Sequence, residues 1–156
     1  MGKLVIIMGS GRDLNYARGI EKIVKKFGVN CELRVASAHK TPEKVLKIVR
    51  ENEKEEVVFI TIAGKSNALS GFVDANTTKP VIAAPPYSEK FCGVDIFSSL
   101  RMPKGVAPLV ILGEEQAALS AIKILALSDE KLRERIYNYQ KRYKEEIEKE
   151  DKKLNG

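Results

Sequence analysis

A chain of 156 residues, 44% apolar and 31% charged, fits one domain with its own core and leaves no room for a second catalytic domain. Its formal net charge is +6, yet residues 128–156 hold nine basic against eight acidic side chains. The surplus therefore lies in residues 1–127 and, with no basic arm, suits small anions as readily as nucleic acid.

Leu4 to Met8 is a continuous apolar run ending at Gly9-Ser10-Gly11, the pattern of a buried parallel strand entering a tight turn. The run is too short for a signal-peptide core or a membrane span, and the strand begins too soon after Gly2 for that residue to be a myristoylation site. Leu14, Ala17, Ile20, Val24 and Phe27 recur at helical spacing, and Gly28 follows as a C-terminal stop. Cys31 to Ala36 predicts a second strand. Thr41-Pro42-Glu43 opens a second helix with Pro at its first position, carrying Val45, Leu46, Ile48 and Val49 inward. Val57 to Ala63 is a third buried strand, residues 67–77 a short helix, and Val81 to Ala84 a fourth strand ending at Pro85-Pro86. Residues 106–112 predict a fifth strand and residues 114–127 an Ala-rich helix.

Residues 128–153 differ in character. Ser128-Asp129-Glu130 is a capping signal, and Leu132, Ile136, Tyr139, Tyr143 and Ile147 form one narrow apolar stripe. This helix either folds back on its own domain or docks on another subunit. Apolar strands alternating with helices predict a three-layer α/β domain around a central five-stranded parallel sheet, flavodoxin-like, with an extra C-terminal helix. Residues 1–127 form its α/β part and residues 128–156 the appended helix. Cys31 and Cys92 make no CxxC pair or disulfide framework, which points to a reducing, cytoplasmic setting.

Parallel sheets bind ligands beyond the carboxyl ends of their strands, so polar residues that follow strands are the ones to weigh. The first such loop is Gly9-Ser10-Gly11-Arg12-Asp13. Its glycines let backbone approach a ligand, Ser10 can donate, and Asp13 can accept from a sugar hydroxyl. A plain capped turn explains the same residues. Neither the dinucleotide fingerprint nor a P-loop is present. The second loop, Ser37-Ala38-His39-Lys40-Thr41-Pro42, carries the only histidine, so no histidine-based metal cluster can form. His39 stands between Ser37 and Lys40, a proton shuttle flanked by two phosphate donors. The third loop, Gly64-Lys65-Ser66-Asn67, suits an anion or heterocycle, with a helix N-cap at Ser66 or Asn67 as the competing explanation. Jointly the loops describe a pocket for a phosphorylated small molecule with one acid–base residue.

These motifs, together with Ala68-Leu69, Asn76-Thr77, Pro80-Val81-Ile82, Pro85-Pro86 and Ser98-Ser99-Leu100-Arg101-Met102-Pro103, resemble the 5-aminoimidazole ribonucleotide carboxylase family of purine biosynthesis. The similarity runs colinearly over roughly residues 4–127. The family has two branches. One is the N-carboxyaminoimidazole ribonucleotide mutases, which move a carboxylate within the substrate. The other adds CO2 directly to aminoimidazole ribonucleotide. Mutases typically read Ser-Ala-His-Arg in the second loop and place Gly-Ala-Ala-His in the third. Here Lys40 replaces that arginine, and Lys65-Ser66-Asn67-Ala68 stands in the third. The chain therefore resembles the direct carboxylases, including the form fused to a synthetase in animals.

The resemblance implies an ATP-independent carboxy-lyase with no cofactor and no metal. It assigns Ser10, Ser37 and Lys40 to the phosphate, Asp13 to the ribose, and Gly64 and Ser66 to the imidazole and CO2 end, with His39 as catalytic base. Lysine serves a phosphate as a mobile point charge, whereas arginine clamps it bidentately. Lys65 and Arg101 lie in motifs expected around the pocket. The implied partners are aminoimidazole ribonucleotide and CO2, without nucleic acid or membrane, and further copies of the chain, as an octamer or tetramer. The alternatives are the mutase and a non-catalytic flavodoxin-like nucleotide-binding module.

Overall fold

In the computed structural model, which describes residues 2–155, five parallel strands are ordered β2-β1-β3-β4-β5. They are β1 (Lys3–Met8), β2 (Asn30–Val35), β3 (Val57–Ile62), β4 (Val81–Ala83) and β5 (Leu109–Val110). The helices are α1 (Leu14–Lys26), α2 (Pro42–Asn52), α3 (Ala68–Asp74), α4 (Phe97–Leu100), α5 (Glu114–Leu125) and α6 (Glu130–Asn155). This is the flavodoxin-like three-layer arrangement expected from the sequence.

Strand alternation builds the two cores. Leu4, Ile6 and Met8 of β1 face α1, α5 and the start of α6, while Val5 and Ile7 face α2 and α3. Because β1 and β3 are covered on both sides, every one of their side chains but Lys3 is buried, which is why they read as unbroken apolar runs. Gly28 ends α1 at φ +70°, a left-handed conformation that costs glycine little. Pro42 opens α2 as expected. Small residues let α1 and α5 approach closely: the Glu114 side chain fills the space that a Cβ on Gly19 would need.

Two elements differ from expectation. The fifth strand is confined to Leu109–Val110. Pro108 has no N–H for the ladder, and the Ala107 N–H is taken by Asp74 Oδ2 at 2.7 Å. Leu46 is only partly buried, while Val45, Ile48 and Val49 carry the core face of α2.

The final helix begins at an Asp129 cap, whose Oδ1 accepts from Leu132 N at 2.9 Å. Leu132 and Ile136 are buried against the domain. Tyr139 packs against Phe27 in a tilted pair with ring centroids 5.0 Å apart and donates its hydroxyl to Glu115 at 2.6 Å. Beyond this point the stripe emerges: Tyr143, Ile147 and Leu154 are exposed.

Candidate functional site

The three loops meet above the carboxyl ends of β1, β2 and β3, and the segment after β4 closes the remaining side. They enclose a cleft of about 370 Å³ lined by Ser10, Asp13, Ser37, His39, Lys40, Gly64 and Ser66. All seven residues singled out in the sequence therefore share one cavity. It lies where crossovers from β1 and β3 depart in opposite directions, the switch point at which strand ends separate and leave room for a ligand.

In the first loop Ser10 is extended and its Oγ accepts from Arg12 N at 3.3 Å, capping a short 3-10 turn over Gly11–Asp13 that runs into α1. Accepting this bond leaves the hydroxyl proton available to donate into the cleft. Asp13 makes no capping bond and is half-buried. Burial pushes its carboxyl above the usual range, with the Arg12 guanidinium opposing the shift. A desolvated acceptor with no local partner is suited to a ligand hydroxyl.

The second loop is a tight turn closed on itself. Ser37 Oγ accepts from Lys40 N at 3.3 Å, and Pro42 then starts α2. Ser37 is partly buried at the floor, while His39 and Lys40 are exposed at the rim. This places the imidazole and ammonium where an incoming anion meets them first.

In the third loop Asn67, rather than Ser66, caps α3, with Oδ1 accepting from Ser70 N at 3.1 Å. Ser66 is thereby free to line the cleft. Lys65 has φ +60°, a left-handed conformation unusual outside glycine. It turns the chain so that Gly64, Lys65 and Ser66 all border the cavity.

Arg101, expected near the pocket, is exposed and lies outside the lining. Arg12, Tyr87, Ser88 and Asp95 also line the cleft, beyond the residues expected there. Arg12 was legible inside the first loop. The other three sit in a segment without helical or strand periodicity, so no local pattern marked them. A second, mostly apolar cavity of about 390 Å³ adjoins the first across Pro86, Tyr87 and Asp95. Among the described residues, no group of three or more His, Cys, Asp or Glu side chains converges to hold a metal ion.

The cleft thus brings together hydroxyl and ammonium donors, a partly buried carboxylate, an exposed imidazole and glycine backbone. Known proteins share this chain's sequence and fold. The family model for AIR carboxylase matches residues 3–146. The phosphoribosylaminoimidazole carboxylase of Archaeoglobus fulgidus is 60% identical, over 97% of this chain and 84% of that protein. The N5-carboxyaminoimidazole ribonucleotide mutase of Methanocaldococcus jannaschii is 43% identical, over 97% of this chain and 96% of its own. The crystal structure of Treponema denticola PurE superposes with a TM-score of 0.96 at 41% identity, covering 99% of each chain. With the family model spanning nearly the whole sequence and a relative at 60% identity, the chain belongs to the AIR carboxylase family.

Proposed function

We propose that this protein is a phosphoribosylaminoimidazole carboxylase, reversibly adding CO2 to 5-aminoimidazole ribonucleotide to give the 4-carboxy nucleotide without ATP. The observation that carries the reading is the single cleft holding the three loops, with Lys40 and Ala68 at the two positions that separate the branches. The identity to the Archaeoglobus carboxylase supports the same branch. The mutase remains the second reading because a relative of that name is 43% identical.

Ser10, Ser37 and Lys40 bind the phosphate, and Asp13 accepts from the ribose hydroxyls. Gly64 and Ser66 border the imidazole and CO2. The exocyclic amine makes C4 of the imidazole a carbon nucleophile. Its electron pair forms the new bond to CO2, and one C=O pair moves onto oxygen to give the carboxylate. His39 then takes the C4 proton and aromaticity returns, a step for which an imidazole is well matched near neutral pH. The protein supplies orientation, exclusion of water and one proton transfer.

The reading needs only small-molecule partners and further copies of the chain. No described helix is long and apolar enough to cross a membrane, both cysteines are free thiols, and we place the enzyme in the cytoplasm. Residues 1–127 act as the catalytic unit, with 128–156 as its appended helix in a single domain. Phe91, Val94, Phe97, Leu100, Leu109 and Leu112 are all exposed. So many large apolar side chains in one short stretch of chain suit burial between subunits, and light scattering distinguishes the tetramer and octamer from a monomer.

The test supplies purified protein with aminoimidazole ribonucleotide and labelled bicarbonate, omitting ATP. Label entering the carboxylate on C4 of the product supports the carboxylase. Turnover confined to the N-carboxylated substrate assigns the protein to the mutases. His39→Asn is expected to retain nucleotide binding while losing roughly a hundredfold or more in rate, as for other positioned acid–base groups. Near-normal turnover in that variant removes His39 from the mechanism.

A further inference from the structure

The left-handed Lys65 is held from outside its own loop. Its N–H donates to Asp95 Oδ2 at 2.8 Å, and its carbonyl, at 2.9 Å, shares the single Ser98 hydroxyl proton with the Asp95 carbonyl at 2.8 Å. The same Ser98 hydroxyl accepts from Asn67 N at 3.1 Å. Asn67 Nδ2 donates to Ser99 Oγ at 2.9 Å, and Asn67 Oδ1 accepts from Ser70 Oγ at 2.9 Å. Ser70 in turn shares a hydroxyl–hydroxyl bond with Thr61 of β3 at 2.7 Å. Thr61, Asn67, Ser70 and Ser99 are all buried. A buried hydrogen-bonded network specifies one geometry, and here it anchors Asn67 to Ser99, while the more exposed Asp95 and Ser98 bonds hold Lys65.

Asp95 also fits its place sterically. A Cβ on Gly64 would meet Asp95 Oδ2 at 3.4 Å, an ordinary van der Waals contact, so the carboxylate packs directly against this backbone alongside the cleft wall. Val94 and Phe97, its neighbours in the chain, are exposed within the apolar stretch. One short segment therefore faces the catalytic loop through Asp95 and Ser98 and the surroundings through Val94 and Phe97.

We infer that Asp95 is a positioning residue for the reaction, fixing the Gly64–Asn67 loop so that its wall holds the imidazole and CO2 in register with His39. Ser98 assists from the carbonyl side. The inference rests on the carboxylase reading for its kinetic consequence, but the loop's dependence on Asp95 stands apart from it. Among the described residues, no hydrogen bond of this network reaches Ser10, Asp13, Ser37 or Lys40, so loss of Asp95 should act on the chemical step and spare nucleotide capture.

The test compares Asp95→Ala, Asp95→Asn and Ser98→Ala in the full-length protein. Asp95→Ala should lower kcat about 10- to 100-fold, the scale expected when a reacting partner is misplaced by about 1 Å, with KM for the nucleotide within about twofold, the same for a step that leaves binding alone. Asp95→Asn retains an oxygen acceptor for Lys65 N and should recover most of the rate. Hydrogen exchange at the Lys65 amide, followed by NMR, should be slow in the wild type and in Asp95→Asn but fast in Asp95→Ala. If Asp95→Ala does not fold, Ser98→Ala must show the same kcat loss with KM held. An unchanged kcat in a folded Asp95→Ala protein, or an Asp95→Asn variant as impaired as Asp95→Ala, overturns the inference. If the wild type itself fails to carboxylate, the functional reading falls, while amide exchange still decides whether Asp95 holds the loop.

Discussion

Ser37 and Thr41 hydrogen-bond each other reciprocally: Ser37 N–H donates to Thr41 Oγ1 at 2.9 Å, and Thr41 N–H donates to the Ser37 carbonyl at 2.8 Å. The three residues between them, Ala38, His39 and Lys40, are thereby presented as a rigid tip. Local side-chain-to-backbone bonds of this kind compete with regular structure and fix turns.

Thr41→Val keeps the branched shape and deletes the hydroxyl. The Ser37 N–H then loses its partner, but in this exposed turn water takes its place, so the desolvation cost of an unsatisfied buried group does not arise. We expect kcat to fall roughly tenfold through the loosened His39, equivalent to about 1.4 kcal/mol, with thermal stability nearly unchanged because the turn is exposed. Steady-state kinetics beside a melting curve checks both halves. A fully active Thr41→Val protein would show that the tip needs no such clamp.

Asp13 predicts an exchange of stability for binding. Its carboxyl is raised above the ordinary 3.8 because burial disfavours the charge, despite Arg12. An acid raised on folding holds its proton more tightly in the native state. Stability therefore declines as pH climbs from 3.8 through the raised value, and the deficit persists at neutral pH. Asp13→Asn should melt higher than wild type at pH 7 and equally at pH 3, while KM for the nucleotide rises about tenfold, in line with ~1.5 kcal/mol for a hydrogen bond to a charged group. Melting curves at the two pH values test the sign, and a variant that is less stable at pH 7 contradicts it.

Much of this was legible in the sequence for physical reasons. Buried parallel strands such as Val57–Ile62 leave continuous apolar runs, Pro42 and Gly28 mark a helix start and stop, and the loops after strands must gather at one sheet edge. Asp95 carries no local signal, because its partner Lys65 is 30 residues away in sequence and no local spacing encodes that meeting. The fifth strand was overextended because Val106 to Leu112 is apolar, yet Pro108 and the Asp74 bond to Ala107 leave only a short pairing. Apolar character marked a region to be covered and could not say whether sheet or subunit covers it.

The last helix separates these two kinds of cover. Leu132 is 3% exposed and Ile147 is 64% exposed. Leu132→Ala should cost about 2–5 kcal/mol, the range for a buried leucine. Ile147→Ala should stay within about 0.5 kcal/mol, as for an exposed position. Denaturant unfolding of both variants measures the difference. A loss at Ile147 matching that at Leu132 would mean that a neighbouring subunit covers the distal half.

Cysteine reactivity offers an independent check on packing. The Cys31 thiol is pushed up to about 12, mainly by burial, with Glu21 adding to it and Lys25 opposing. Thiolate, not thiol, is the nucleophile, so Cys31 should resist alkylation at pH 8 in the native protein. Cys92 is exposed and should be modified first. Mass spectrometry after brief iodoacetamide treatment reads the order, and unfolding should remove the difference.

Direct joining of CO2 to a nucleotide carbon is the chemistry proposed for this cleft. Its most direct measurement is the initial rate of C4 carboxylation without ATP, with aminoimidazole ribonucleotide plus CO2 set beside the N-carboxylated nucleotide at equal concentration. The account predicts sustained turnover from the unmodified nucleotide, rising with CO2 and abolished in His39→Asn. Turnover from the N-carboxylated nucleotide alone, indifferent to added CO2, would contradict it.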